Sequence, residues 1–356
     1  MGGAAQVTPP GVEGRRYLLV SNGSARQGTT ILFEALADRW RRDGAHVIVR
    51  PREMPQGVLA KCRFLLTDLP NSWRSLAGAD VLVVHSAVAL SLPLILMARL
   101  RGRRVVAFVW DVYPASTKAA GRLTHAGLLA LYAMAEVAAT SLASRCLVPS
   151  RDYLPLVAKR TRRVEVYPLW PTLRGPQEII PGPALAGTLR IGFAGQINGA
   201  RGVVDAVRDV LSWAPADLNV AVEVFSGDPL PPGLQELERA EGRLTVQHRG
   251  FLDADALVSA LALLHFGLVT ISRDFDLPAY PSKSMAYLAA GLPVLYSGRA
   301  LPAFQEELVG ARIGLVVGEG AIGRADLDLF LENYPLARDR HLKNLTDMWA
   351  VRDRVL

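Results

Sequence analysis

The fold of this chain is decided by residues 281–295, PSKSMAYLAAGLPVL, which read as a turn, a short helix and a buried strand. Small side chains allow the helix to lie close to a sheet or to a ligand, and Gly-Leu-Pro ends it. Helix N-termini attract anions because free N–H groups and the helix dipole both favour negative charge. Ser282 and Lys283 would add a hydroxyl and a cation there. The pattern indicates an anion-binding turn or, equally, an ordinary helix–strand junction.

Strands and helices alternate on both sides of this stretch, which predicts parallel sheets covered on both faces. In the first half we predict helices at 29–43, 90–100 and 127–144 and strands at 17–21, 47–49, 81–84, 105–110, 146–148 and 164–167. In the second half we predict helices at 203–213 and 341–355 and strands at 189–194, 220–225, 244–248, 267–271, 294–296 and 314–317.

The length of 356 residues suits two domains of about 150 residues each. A Pro- and Gly-rich stretch separates the two alternating halves, as is typical of a linker. We therefore expect two Rossmann-like domains with a cleft between them. The predicted segments are a disordered lead at 1–14, a first Rossmann-like domain at 15–170, a linker at 171–187, a second Rossmann-like domain at 188–338, and a C-terminal helix at 339–356.

Composition narrows the class of protein. Half of the residues are hydrophobic and 21% are charged, which supports a large core. Cys62 and Cys146 fit no disulfide framework or zinc pattern, so a reducing compartment is expected. The net charge of +7 suits an anionic membrane surface or an anionic small substrate. Nucleic acid is disfavoured because no long Lys/Arg run or aromatic interleaving occurs.

Two segments bear on membrane targeting. The first 14 residues lack the apolar core of a signal peptide. Residues 81–100 are long and apolar enough to cross a bilayer. We interpret them instead as a buried strand and a helix, because a turn interrupts them and another strand follows. The expected protein is peripheral, without a spanning helix.

Two loops and one carboxylate follow predicted strands, at the sheet edge where ligands bind. The loop at 195–202, GQINGARG, opens a helix, and its N–H groups together with Arg201 could hold a diphosphate. The loop at 21–28, SNGSARQG, is comparable and could instead be a polar surface loop. Asp111 follows another strand and could serve the site or cap the next segment.

Four segments together resemble bacterial enzymes of glycosyltransferase family 4 that build surface polysaccharides. They are WDVYP at 110–114, VYPLW at 166–170, the loop at 195–202 and the helix at 281–294. The resemblance implies the GT-B fold, in which two Rossmann-like domains bind a nucleotide-diphosphate sugar in the cleft between them. Residues 15–170 would then be the acceptor domain and 188–338 the nucleotide-sugar domain, with the C-terminal helix at 339–356 packed back on the first domain. The implied reaction is transfer of a hexosyl group from a nucleotide-diphosphate sugar, with retention of configuration, no metal and no other cofactor. It also implies a saccharide acceptor linked to lipid, at the inner face of the cell membrane.

The resemblance implies roles for individual residues. Asp111 and His125 are the expected catalytic residues, with His85 as another candidate histidine. The donor diphosphate is expected at Gly195, Asn198, Gly199, Arg201, Ser282 and Lys283. Further contacts with donor or acceptor are expected from Asn22, Gly23, Arg26, Tyr280 and Ser284.

One departure from the family pattern leaves alternatives open. Members usually carry a pair of glutamates near the last motif, and the matching positions here are Pro278 and Ala286. Asp274, Asp276 or Tyr280 could replace them. Otherwise the chain could be a non-catalytic scaffold subunit of a glycosyltransferase complex. A sugar-nucleotide epimerase of the same fold is a third hypothesis.

Overall fold

The computed structural model describes residues 12–24, 28–55, 57–85, 87–112, 126–172, 184–318 and 320–353. The chain divides into two compact units. The N-terminal unit comprises Met1–Trp170 and Leu345–Leu356, and the C-terminal unit comprises Pro171–Asn344. Most of the lead and of the linker therefore lie outside the described residues.

The N-terminal unit is built on a six-stranded parallel sheet in the order β2-β1-β3-β4-β5-β6. Its strands are β1 (Arg16–Ser21), β2 (His46–Pro51), β3 (Val81–His85), β4 (Arg104–Phe108), β5 (Arg145–Val148) and β6 (Val164–Val166). All five residues of β3 are buried, as expected of a central parallel strand.

Helices cover both faces of this sheet. They are α1 (Gly28–Arg42), α2 (Val58–Thr67), α3 (Leu69–Ala77), α4 (Leu92–Leu100), α5 (Ala126–Leu142) and α6 (Leu154–Val157), with short 3₁₀ turns at Val88–Ser91 and Arg151–Tyr153. Right-handed crossovers place α1 on one face of the sheet and α3, α4 and α5 on the other, because the strand order reverses after β2.

The interpretation of residues 81–100 as a strand and a helix is confirmed by β3 and α4. Among the helices of the described residues, none is both long and apolar enough to cross a bilayer.

Residues 349–353 are fixed within the N-terminal unit by polar contacts. The Tyr167 hydroxyl donates to Asp353 Oδ1 at 2.6 Å, and Arg39 pairs with the other oxygen at 3.0 Å. The Trp349 indole donates to the Pro168 carbonyl at 3.0 Å. The Trp170 indole donates to the Leu32 carbonyl at 2.7 Å. The VYPLW segment therefore joins α1 to residues 349–353.

The C-terminal unit has a second six-stranded parallel sheet, in the order β12-β11-β10-β7-β8-β9. Its strands are β7 (Thr188–Ala194), β8 (Asn219–Phe225), β9 (Leu244–His248), β10 (Phe266–Ile271), β11 (Val294–Gly298) and β12 (Gly314–Val316). The twelve strands of the described residues match the predicted strands to within a few residues.

The helices of this unit are α7 (Val203–Trp213), α8 (Pro232–Ala240), α9 (Ala254–Leu261), α10 (Lys283–Ala289), α11 (Pro302–Gly310) and α12 (Arg324–Asp353). The last is longer than the helix predicted at 341–355, and its residues from Leu345 onward belong to the N-terminal unit. The sheet order reverses between β7 and β10, and such a reversal opens a crevice at the carboxyl ends of the strands.

Candidate functional site

The crevice between β7 and β10 holds Lys283. Its Nζ atom lies 4.1 Å from the centroid of the Phe193 ring, on β7. Gly195, directly after β7, has a φ of +119°, and a Cβ atom on it would lie 2.7 Å from Nζ. A side chain at Gly195 would therefore push the lysine away, so this glycine is required by close approach as well as by its backbone conformation.

The Lys283 ammonium has no counter-ion among the residues that the structure describes. Nζ is buried and has no hydrogen-bond partner among the described residues, and only the aromatic face below it offers partial compensation. Burial, and secondarily repulsion from Arg201, lower the pKa of Lys283 to about 7. A buried cation without an acceptor is costly, and a bound anion would remove that cost.

Arg201 reaches the same crevice because the loop at 195–202 is fastened to neighbouring strands. The Thr270 hydroxyl, on β10, donates to the Arg201 carbonyl at 2.7 Å. Gly202 has a φ of +60°, and a Cβ there would lie 3.1 Å from Ser272 Cα. The loop thus turns tightly against β10 before α7 begins. The structure brings together Arg201 and Lys283, which are distant in sequence.

The other residues expected at the diphosphate differ in their surroundings. Asn198 and Gly199 are exposed on the loop, and Ser282 is exposed just before α10. Ser284 is buried, and its hydroxyl donates to the Pro281 carbonyl at 2.7 Å. Ser284 therefore stabilises the start of α10.

Tyr280 points toward α11. Its hydroxyl donates to Glu307 Oε2 at 2.7 Å, and its ring packs edge-on against Phe304. Burial, and secondarily the Glu307 charge, raise the pKa of Tyr280. Asp274 and Asp276, the other substitutes for the missing glutamates, are exposed after β10.

Sequence reasoning missed two residues of this edge, Asp228 and Phe251. The Asp228 carboxylate, after β8, accepts a hydrogen bond from the Ile197 amide at 2.8 Å and so holds the glycine-rich loop. Phe251, after β9, is 82% exposed and lies beside Gly227. An exposed aromatic in a loop is a weak signal by itself; the strand order is what places it at this edge.

Tyr287, within the stretch 281–295, lies between α10 and the sheet. Its hydroxyl accepts from the Ala194 amide at 2.9 Å and donates to the Leu268 carbonyl at 3.3 Å. Its ring fills the space above Gly267, where a Cβ would lie 2.3 Å from the ring. Tyr287 therefore fixes α10, and with it Lys283, against β7 and β10.

The N-terminal unit has its own reversal of strand order, between β1 and β3. Asn22 follows β1, donates to the Ser91 hydroxyl at 2.9 Å and accepts from Arg52 at 3.4 Å. Gly23 is buried next to it. Asn22 is thus fixed at the carboxyl edge of this sheet, with both ends of its amide engaged.

His85 ends β3 within the core. It is 4% exposed, stacks on Trp110 and accepts or donates one hydrogen bond with the Ser21 hydroxyl at 3.1 Å. Burial lowers the pKa of His85 to about 3, so the imidazole is neutral at physiological pH.

The two residues expected to be catalytic are Asp111 and His125. Asp111 is exposed, three residues after β4. Arg26 and His125 lie outside the described residues.

No family model matches the sequence, and no curated protein matches it either. Solved structures do match it along nearly the whole chain. The apo form of WaaB, a lipopolysaccharide outer core galactosyltransferase, covers 94% of this chain and 99% of its own, with a TM-score of 0.57 and 12% identity. Anabaena HepE, solved with UDP and glucose, covers 96% of this chain and 97% of its own, also with a TM-score of 0.57 and 12% identity.

The chain has the GT-B fold. The two parallel six-stranded sheets with flanking helices and the matches to GT-B glycosyltransferases agree on this point. The fold is shared beyond the transferases: a Listeria monocytogenes protein assigned as a UDP-N-acetylglucosamine 2-epimerase covers 92% of this chain and 90% of its own, with a TM-score of 0.52 and 11% identity. No group of three or more His, Cys, Asp or Glu side chains suited to a metal occurs among the described residues.

Proposed function

We propose that the protein is a hexosyltransferase that moves a sugar from a nucleotide-diphosphate sugar to a saccharide acceptor linked to lipid, in polysaccharide or glycolipid synthesis. One observation carries the proposal. The buried ammonium of Lys283 has no counter-ion within the described part of the chain. It lies against Gly195 at the carboxyl edge of a GT-B sheet, close enough to Arg201 for the two charges to interact. Two neighbouring cations that repel each other are suited to a doubly charged ligand.

In this proposal the donor diphosphate accepts hydrogen bonds from Arg201 and Lys283. Charge-assisted bonds of this kind are the strong ones in proteins, and Arg offers two parallel donors to a phosphate. The same two cations stabilise the negative charge that develops on the leaving diphosphate when the sugar bond breaks. We propose that the transfer retains configuration and that these side chains make a metal unnecessary.

We further propose that Phe251 stacks on the base of the donor nucleotide. Phe251 follows β9, which lies two strands from β7, the strand beneath Lys283. Neighbouring strands are about 4.8 Å apart, so the two positions are separated by about 10 Å along the sheet edge. An extended nucleoside diphosphate spans a comparable length from base to distal phosphate.

The acceptor side of the proposal rests on the N-terminal unit. Asp111 is the proposed group that orients the acceptor or the transferred sugar, and Asn22 is a proposed contact at the same sheet edge. His125 is retained as a proposed catalytic residue from the resemblance alone. The inner face of the cell membrane is the proposed location, because a lipid-linked acceptor is held there.

A second candidate function, a non-catalytic scaffold subunit, is favoured by Pro278 and Ala286. Neither can supply the carboxylate that the family pattern places there. A scaffold could retain the fold without a working donor site, and it would have no need for the paired cations.

Calorimetric titration with UDP, GDP, ADP and TDP tests the proposal. Binding of one diphosphate, with weaker binding of the matching monophosphate, would support a donor site and indicate the base. Subsequent incubation with the corresponding nucleotide sugars and a lipid-linked saccharide should yield a longer saccharide. Lack of binding to any diphosphate would overturn the transferase proposal in favour of the scaffold. A change in the sugar of the free nucleotide would favour the epimerase.

A further inference from the structure

Helix α5 of the N-terminal unit turns its polar side chains toward the protein and its large apolar side chains toward the solvent, the reverse of the usual arrangement. A helix that is hydrophobic all round is normally buried. Only three residues of α5 are buried, namely Glu136, Ala139 and Thr140, and they include its single charged side chain. Leu131 and Met134 are 62% and 70% exposed.

The reversal is stabilised by specific contacts. Glu136 Oε2 accepts from the Ala89 amide at 2.7 Å, in the turn after β3, and Arg160 lies 3.9 Å from its other oxygen. The Thr140 hydroxyl donates to the Glu136 carbonyl at 2.7 Å. The inward side of α5 is therefore a polar anchor, and its apolar residues are left outside.

The exposed apolar residues continue across the neighbouring helices. Helices α3, α4 and α5 lie on the same side of the sheet, and each contacts the next. We call the outer surface of these helices the apolar face; its large exposed side chains are Trp73, Leu96, Leu100, Leu131, Met134 and Val137. The structure describes every residue of these three helices, and none of them carries an exposed Asp or Glu.

Charge around the apolar face is positive. Arg74 and Arg99 are the charged exposed residues on the three helices, and the guanidinium of Arg101 stacks 3.6 Å from the centroid of the Trp73 ring at the border. The N-terminal unit as a whole has 25 Lys and Arg against 13 Asp and Glu, a formal charge of +12. The C-terminal unit has 15 against 20, a formal charge of −5.

We infer that the apolar face is a docking surface for an anionic lipid bilayer, with α5 lying in the plane of the headgroups. A helix of 17 residues with no charged side chain on its outer side presents about 25 Å of apolar surface. Apolar side chains bordered by arginines and an aromatic are the composition of helices that bind at membrane interfaces. Anionic headgroups also complement the excess positive charge of this unit.

The position of the apolar face supports its use for a lipid-linked substrate. The turn that Glu136 holds continues to Ser91, which binds Asn22 at the carboxyl edge of the sheet. The bilayer would thus contact the element that supports the proposed acceptor contact. This inference rests on the lipid-linked acceptor of the proposed function, but its test uses vesicles without any sugar substrate, so the two can fail separately.

Flotation of the full-length protein with vesicles tests the inference. The wild type should float with vesicles of phosphatidylcholine and phosphatidylglycerol, and much less with phosphatidylcholine alone. The double variant Leu131→Glu/Met134→Glu should bind the anionic vesicles at least about tenfold more weakly, because two apolar contacts are replaced by two charges. The matched control, Leu263→Glu/Leu336→Glu, changes two exposed residues of the C-terminal unit, 62% and 74% exposed, and should bind like the wild type.

Thermal unfolding of each variant shows whether it is folded, and Arg74→Gln/Arg99→Gln provides a second arm that leaves the apolar residues intact. This pair should weaken binding only to the anionic vesicles. The inference is overturned if the wild type does not bind anionic vesicles, or if the Leu131/Met134 variant binds as well as the control. It is also overturned if sedimentation velocity shows a dimer that this variant abolishes while vesicle binding persists, since the face would then cover a second copy.

Discussion

The Nζ atom of Lys283 lies 4.1 Å from the centroid of the Phe193 ring and against Gly195, and no described residue offers it a hydrogen-bond acceptor. Tyr287 holds the helix that carries this lysine, through hydrogen bonds to two strands. The ammonium is therefore positioned by the protein's own contacts. Such a preorganised cation loses little freedom when an anion binds, which favours affinity.

The first prediction concerns Arg201 and Lys283. Replacing either by Ala should weaken binding of the preferred nucleoside diphosphate by about one to two orders of magnitude, since each removes a charge-assisted contact of roughly 1.5–3 kcal/mol. The matching monophosphate should be much less affected, because it lacks the distal phosphate. Calorimetry gives both affinities. Lys343→Ala removes an exposed lysine of the same unit and is the control. Equal affinity in all variants would leave the donor site without support.

The second prediction concerns proton uptake by Lys283. Its pKa of about 7 means that a large fraction of the side chain is neutral at pH 8. A bound diphosphate favours the ammonium and raises this pKa, so binding at pH 8 should take up close to one proton. The affinity should accordingly decrease as the pH rises above about 7. Calorimetry in buffers of different ionisation enthalpy measures the uptake.

The variant Lys283→Arg separates this effect from others. Arginine keeps its charge throughout this pH range, so uptake should disappear while some affinity remains. Persistent uptake in this variant would assign the proton to another group.

The third prediction concerns Phe251. Its replacement by Ala should weaken nucleoside diphosphate binding by roughly 1–3 kcal/mol, the usual contribution of a stacked base. Binding of inorganic pyrophosphate should not change, because that ligand has no base. Stability should be little altered, since the side chain is 82% exposed. Phe251→Trp should restore affinity, and a uniform loss for both ligands would contradict stacking.

The strands could be predicted from sequence because buried parallel strands are short apolar runs with breaks at both ends, as at 81–84 and 294–296. The pair Arg201 and Lys283 could also be predicted, because each lies where a turn leads into a helix. The place of Phe251 at this sheet edge could not be predicted, because it depends on the order of β7, β8 and β9. Tyr280 also depends on tertiary contacts, because its partner Glu307 lies on a different helix.

The orientation of α5 is another feature that depends on tertiary contacts and could not be predicted from sequence. Its Ala- and Leu-rich sequence predicted a helix correctly, but such a sequence would ordinarily indicate burial on several sides. Which side faces the sheet is decided by the Ala89 amide, which requires an acceptor and finds it in Glu136. A polar contact thus determines which side of the helix faces outward, and no periodicity of apolar residues records it.

The last prediction concerns the stability of the N-terminal unit as a function of pH. Burial raises the pKa of Glu136 to about 7, against the opposing influence of the Ala89 amide and Arg160. The folded state therefore binds a proton that the unfolded state has already lost, between about pH 4.5 and 7. The stability associated with this group is full below pH 4.5 and decreases as the pH rises to 7. A shift of this size corresponds to about 3 kcal/mol.

The variant Glu136→Gln keeps the shape and the acceptor oxygen but cannot ionise. Its free energy of unfolding relative to the wild type should therefore increase by up to that amount between pH 4.5 and 7. Urea unfolding at several pH values measures it, with Glu34→Gln, an exposed residue on α1, as the control. A constant difference between Glu136→Gln and the wild type across this range would contradict the raised pKa.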